Sequence, residues 1–197
     1  MALHHTMRVI SGSLKGRIIP FEKKLKSAEA TSQRLKKALF SILGEDLTGK
    51  SFLDLYSGTG QIGLEALSRG SSIVVFNDSD RARFQFVKDI VTQWKVNDRA
   101  MHFNTDALRC LTICSERGLV FDFIFCDPPF QKVNAFPENY KVILQKISES
   151  AIMNDETIVF VQHFHINIMP DSIGRLRLKD IRKYGTNSLS TYTVAKT

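Results

Sequence analysis

Between residues 51 and 162, five short apolar runs alternate with four longer stretches of helical periodicity, and that alternation leaves few folds open. The runs cover about 51–55, 72–77, 100–105, 121–126 and 156–162, and the helical stretches about 61–69, 80–94, 107–117 and 138–151. Strand–helix repeats of this length close by right-handed crossovers, giving a parallel sheet covered by helices. Upstream, the spacing predicts a hairpin over about 8–19 and a helix over about 31–43. Downstream, runs at 176–184 and 189–195 flank Gly185, Thr186, Asn187 and Ser188 and read as an antiparallel hairpin. A chain of 197 residues suits one core that buries roughly 70% of its unfolded surface. We divide it into a basic appendage over residues 1–45 and an α/β domain over 46–197; residues 1–6 precede Met7 and are left out of the fold reading. No apolar run approaches the ~20 residues of a membrane span, and no signal-peptide pattern is visible.

The run 121–126 ends in Asp127, Pro128, Pro129 and Phe130. Prolines fix φ and donate no N–H, so a stiff turn with outward carbonyls is expected. Asp127 and the Pro128 carbonyl could each accept one hydrogen of an exocyclic –NH2. Holding both draws the nitrogen out of conjugation and aims its lone pair at an electrophile. Phe130 offers a stacking face worth roughly 1–3 kcal/mol per base. The same residues also make an ordinary strand-to-loop turn.

Gly58, Gly60 and Gly63 form G-x-G-x-x-G between a strand and a helix starting near Gln61. That pattern gives a tight turn, close backbone approach to a ligand, and a helix N-terminus. Asp78, twenty residues beyond Gly58, could accept both hydroxyls of a ribose. So far a dinucleotide fits as well as any ligand. Asp54, four residues before Gly58, would repel a pyrophosphate but suits an ammonium, and Asp106 could accept from an adenine amine. Each acid alone also reads as a loop residue or helix cap. Together, at the carboxyl ends of successive strands, they match S-adenosylmethionine, which has an ammonium, a ribose and an adenine but no phosphate.

The net charge of +7 is uneven. Residues 1–50 carry ten Lys/Arg against four acids, 51–174 eleven against fifteen, and 175–197 six against one. An acidic pocket between basic ends suits a nucleic-acid substrate, although basic flanks also confer solubility. Arg8, Lys15 and Arg17 surround Gly12 and Gly16, followed by Lys23, Lys24 and Lys26. Arg175, Arg177, Lys179, Arg182 and Lys183 keep mostly odd spacing, which places them largely on one strand face. The three cysteines, Cys110, Cys114 and Cys126, suit a reducing cytoplasm. Cys110 with Cys114, and His163 with His165, are incomplete as metal sets, so no metal is expected.

With these motifs in place, the chain resembles the bacterial 16S ribosomal RNA guanine-N2 methyltransferases, from Met7 to about Tyr192. The resemblance rests on residues 7–17 (MRVISGSLKGR), 34–44 (RLKKALFSILG), 54–60 (DLYSGTG), 63–70 (GLEALSRG) and 121–130 (FDFIFCDPPF), with Lys183-Tyr184-Gly185, Leu189 and Tyr192. It implies a Rossmann-like, seven-stranded methyltransferase sheet, mostly parallel with its last strand reversed. It implies S-adenosylmethionine bound near Asp54, Tyr56, Gly58, Gly60, Asp78 and Asp106, and catalysis at Asp127, Pro128, Pro129 and Phe130. Arg8, Lys15, Arg17, Arg34 and Lys183 are the expected RNA contacts. The expected partner is 16S ribosomal RNA or the small ribosomal subunit, and the expected protein is a cytoplasmic monomer. The chain departs from the family's Arg-Pro-Thr-x-Asp-Arg at residues 29–34 (EATSQR), where Glu29 and Gln33 stand for Arg and Asp. Gln162 stands where a glutamate is usual. Alternatives are an amino-methyltransferase acting on adenine N6 or cytosine N4 of DNA, a non-catalytic RNA-binding relative, and an NAD-dependent oxidoreductase.

Overall fold

A computed structural model describes residues 7–20, 33–129 and 131–195. The expectations for Phe130, for Lys23, Lys24, Lys26 and Glu29, and for the first two residues of the 31–43 helix lie outside the described residues. Strands β1 (Met7–Arg8) and β2 (Ile18–Ile19) pair antiparallel, Met7 with Ile19, so the hairpin exists but is mostly turn. Helix α1 (Gln33–Leu43) follows. The alternating core is β3 (Ser51–Asp54), α2 (Gln61–Ser68), β4 (Ile73–Asn77), α3 (Arg81–Gln93), β5 (Ala100–Phe103), α4 (Ala107–Glu116), β6 (Phe121–Cys126), α5 (Glu138–Glu149) and β7 (Met153–Phe164). It ends in β8 (Ser172–Ile173), β9 (Leu176–Tyr184) and β10 (Asn187–Val194).

The sheet order is β5-β4-β3-β6-β7-β10-β9-β8. The first five strands are parallel, and β10 runs antiparallel to both β7 and β9. This is the expected Rossmann-like sheet with its last strand reversed, plus an eighth, two-residue edge strand that the sequence reading lacked. Strands are added in one direction from β3 to β5 and in the other from β6 to β7, so the crevice at the carboxyl ends of β3 and β6 is where ligands enter such sheets.

Two cores flank the sheet. One joins Phe52, Phe76, Phe125 and Phe160 to α1, α2, α3 and the N-terminal residues Met7, Val9, Leu14 and Ile19. The other joins Leu53, Val75, Ile124 and Val161 to α4 and α5, and holds Cys110, Cys114 and Cys126, all three buried thiols. A polar cluster inside the first core fixes the N-terminal segment to α2. Glu65, fully buried, receives the Ile10 and Ser11 N–H groups at 2.8 and 2.9 Å and pairs with Lys36 at 3.2 Å and Arg69 at 3.1 Å. Lys36 also donates to Arg8 O at 2.7 Å, and Arg69 lies 4.7 Å over the Phe40 ring while donating to Gly44 O. Burial holds the Lys36 pKa below its usual value, with Glu65 pulling the other way. Gly12 sits so close to this helix that a Cβ there would meet Ser68 O at 1.9 Å.

One expectation fails in β9. The register slips between Thr191 and Tyr192 of β10, which face Asp180 and Leu178, so Lys179 is an unpaired bulge residue. The bulge reverses the alternation: Arg177 lies opposite Thr193, whereas Lys183 lies opposite Ser188. The basic residues from Arg175 to Lys183 therefore do not share a face. Arg175 is not on the strand at all and donates to Ser148 O and Ser150 O at the end of α5.

Candidate active site

Strand β3 ends at Asp54, and the chain turns through residues 55–60 into α2. Gly58 and Gly60 have φ of 53° and 74°, a region that glycine enters without strain. A Cβ on Gly60 would press on Val87 at 2.9 Å, whereas one on Gly58 would meet nothing nearer than Tyr56 O at 4.0 Å. The loop is thus packed from behind and open above Gly58. Gly63 lets the Phe76 ring lie against α2, since a Cβ would fall 2.2 Å from it.

Asp54 is 1% exposed, and its Oδ2 accepts the Gly63 N–H at 2.9 Å. Burial raises its pKa to about 7; the Gly63 bond works against this and Asp78 adds to it. That bond takes an N–H in the first turn of α2 which a bound phosphate would otherwise use. A pyrophosphate would meet a carboxylate there instead, while a cation would be welcomed.

Asp78 follows β4 and ties the loop to it. Its Oδ2 accepts from Gly58 N at 2.9 Å and Arg83 Nε at 3.0 Å, and its Oδ1 from Asp80 N at 2.9 Å. Asp106 caps α4, taking the Arg109 N–H at 2.9 Å. Tyr56 is half-buried against the second core, and burial first, then the neighbouring Cys126, Tyr140 and Asp106, hold its phenol protonated. Three acids and two glycines thus stand at the carboxyl ends of the adjacent strands β3, β4 and β5.

Asp127 and Pro128 leave β6 on this rim, Asp127 half-buried and Pro128 buried, with Pro129 exposed. Asp127 lies close enough to Tyr140 and Cys126 to add to the burial that keeps both protonated. The following loop is held by two asparagines. Asn139 donates to Pro129 O at 2.8 Å, and the buried Asn167 donates to Gln131 O and Val133 O, both at 2.8 Å. Ile168 N adds a bond to Ala135 O at 3.0 Å.

Asn77 and Asn104 play the same part on the side of the glycine loop. Asn77 Nδ2 reaches Leu55 O at 3.0 Å, and Asn104 Nδ2 reaches Asp78 O at 2.8 Å. Sequence reasoning missed all four asparagines. The one signal, asparagine at or just beyond a strand end, covers Asn77, Asn104 and Asn167 and is also ordinary turn chemistry, while Asn139 lies in the first turn of α5.

Arg8, Lys15, Arg17, Arg34 and Lys183 are all exposed. Arg17 lies 5.4 Å over the Trp94 ring. Because β9 runs in the same direction as β7, Lys183 stands at the same rim as Asp127, while Arg177 points from the far end. His163 is buried and bonded through both ring nitrogens, to Phe164 O and Ser190 Oγ. Among the described residues no group of three His, Cys, Asp or Glu side chains converges on a metal position, and no helix is long and apolar enough to cross a membrane.

The chain is similar to YlbH of Bacillus subtilis, 31% identical over 186 residues that cover 94% of this chain and 98% of that protein. It is 26% identical to ribosomal RNA small subunit methyltransferase D of Escherichia coli, over 83% of this chain and 78% of the relative. Its fold matches yhhF of Escherichia coli with a TM-score of 0.80, at 23% identity over 98% of this chain and 99% of the other. It also matches an RNA methyltransferase from Salinibacter ruber, solved with S-adenosyl-L-homocysteine, with a TM-score of 0.64, at 14% identity over 85% of this chain and 94% of that one. The family model described as conserved hypothetical protein 95 matches residues 7–193, nearly the whole chain, and the chain belongs to this family.

Proposed function

We propose that this chain transfers a methyl group from S-adenosylmethionine to the N2 amine of a guanine in 16S ribosomal RNA. The observation that carries the reading is Asp127-Pro128-Pro129 at the end of β6, directly beside the strand that ends in the glycine loop. The name of the Escherichia coli relative and the ligand of the Salinibacter ruber structure support it. So does the donor set, which suits a cation with hydroxyls better than a phosphate.

In this reading Asp54 supplies negative charge beneath the loop, and the backbone of Gly58 and Gly60 forms the open cradle. Asp78 takes a ribose hydroxyl on Oδ1, which holds one donor, whereas Oδ2 already holds two. Asp106 takes the adenine amine, and Tyr56 walls the pocket. When bound, S-adenosylmethionine supplies a methyl carbon made electrophilic by its positive sulfur. Asp127 and the Pro128 carbonyl accept the two amine hydrogens and fix the lone pair along the line of attack. Orientation of this kind can supply several kcal/mol of rate enhancement. As the nitrogen–carbon bond forms, the carbon–sulfur bond breaks and leaves its electron pair on sulfur, and the amine sheds a proton, which Asp127 is placed to take and pass to water. The target base leaves its stack to enter the pocket, at a cost of a few kcal/mol. The exposed Arg8, Lys15, Arg17, Arg34 and Lys183 hold the RNA backbone.

The test is transfer of labelled methyl to unmodified small ribosomal subunits and to naked 16S RNA, followed by nucleoside mass spectrometry and mapping. N2-methylguanosine is expected, with Asp127→Ala losing transfer while binding the donor within a few-fold. N6-methyladenosine, N4-methylcytidine, or full activity in the Ala variant would refute it.

A further inference from the structure

Gln162 lies near the carboxyl end of β7. Ile158 and Phe160 pack with the core of α1 to α3, and Val159 and Val161 with the opposite core, so alternation turns Gln162 toward α1 to α3. Its β10 partner Leu189 belongs to the same core. On the other side, β6 pairs Phe125 with Phe160 and Cys126 with Val161. One residue further along these parallel strands, Asp127 follows the last paired residue of β6 and stands beside Gln162 in register. Gln162 is 1% exposed, and its Oε1 has no hydrogen-bond partner among the described residues. A buried amide oxygen without a donor is costly and uncommon. Methionine would occupy nearly the same volume without that cost, and strand pairing uses the backbone alone.

We propose that Gln162 is a specificity-determining residue whose carboxamide reads the ring edge of the base held by Asp127. The assignment rests on the function proposed above and extends it to the choice of base. Guanine presents its N2 amine, its N1–H and its O6 in a row. With the amine at Asp127, the N1–H meets Gln162 Oε1, and O6 meets Nε2. Adenine leaves a turned carboxamide only one bond, at its bare ring nitrogen, and cytosine sets a lone pair against the carboxamide oxygen in either orientation. The carboxamide therefore completes its hydrogen bonds when guanine enters.

The test compares wild type with Gln162→Met on two RNA substrates, one with guanine and one with 2-aminopurine at the mapped position. 2-Aminopurine keeps the N2 amine but replaces the N1–H by a bare nitrogen and O6 by a hydrogen, so neither orientation of the carboxamide makes both bonds. Wild type is expected to favour guanine by roughly tenfold in kcat/KM, the loss of one hydrogen bond that leaves a buried group unpaired. The Met variant is expected to melt no lower, to bind the donor within a few-fold, and to lose most of that preference. A packing role would leave the preference untouched. Retention of the wild-type ratio in Gln162→Met overturns the assignment and leaves the function standing. A wild type that methylates no RNA overturns the function and this assignment with it.

Discussion

Asp54→Asn separates the carboxylate's service to a cationic ligand from its cost to the fold. The carboxyl is 1% exposed, and burial lifts its pKa from the ordinary 3.8 to about 7. A raised acid pKa means that the native state keeps a proton which the unfolded chain releases. The stabilisation is therefore complete below about pH 4 and is lost as pH rises through about 7. Between about pH 5 and pH 7 the loss runs over two pH units at about 1.4 kcal/mol each, or about 3 kcal/mol. Asparagine keeps an oxygen for the Gly63 N–H but never ionises. Relative to wild type, the variant should gain about 3 kcal/mol between about pH 5 and pH 8, or roughly 6–12 °C in Tm for a chain of this size. Urea unfolding of the ligand-free protein at the two pH values measures this directly. A stability difference that does not change with pH would show that Asp54 ionises as in an unfolded chain, and the reasoning would fail. Calorimetry supplies the other half. A cation over the loop favours the ionised carboxylate, so wild-type affinity for S-adenosylmethionine should rise from about pH 6 to pH 8. In Asp54→Asn it should be weaker and nearly flat over the same range.

Glu65→Gln leaves Lys36 and Arg69 buried without their counter-charge. It should destabilise the protein by about 3–5 kcal/mol in urea titrations, and a loss under about 1 kcal/mol would mean that water reaches the cluster. Asn167→Ala frees the carbonyls of Gln131 and Val133. Protease should cut the loop after Pro129 faster, and methyl transfer should fall at least about tenfold through misalignment, with Tm nearly unchanged; equal activity would dismiss the asparagine as a positioner. Lys15→Glu removes an exposed charge from the N-terminal turn. RNA affinity should fall and its salt dependence should flatten by about one counterion, whereas an unchanged slope would remove Lys15 from the RNA surface.

The strands of the site were legible because hard punctuation bounds them. β6 runs from Phe121 to Cys126, as its apolar run indicates, since Asp127-Pro128-Pro129 cannot continue a ladder. β9 keeps its bounds between Gly174 and Gly185, both at positive φ. β7 starts earlier than its apolar run because Thr157 Oγ1 bonds Phe121 O and receives Asn154 N, which draws the exposed Asn154, Asp155 and Glu156 into the strand. Tertiary partners override polarity there. The Lys179 bulge is silent in sequence because both parities around it carry charges: Arg177 and Lys183 on one, Asp180 and Arg182 on the other. Lys36 and Lys37 are adjacent and chemically alike, yet one is buried against Glu65 and the other exposed. Glu65 is 29 positions away in sequence, too far for local periodicity to choose between them. Distance in sequence hides the asparagines too: Asn167 meets its carbonyls 36 and 34 residues upstream. What composition and spacing reveal are the groups offered to a ligand, because the strand ends place those in order. What they conceal are the side chains that hold these groups still, because each finds its partner only once the sheet has closed. Gln162 belongs to both kinds: it is placed by the strand, yet its carboxamide oxygen lacks a protein partner among the described residues. A buried polar atom that the described residues leave unserved is therefore the sharper guide to the substrate, because none of the side chains that hold the site supplies its missing bond.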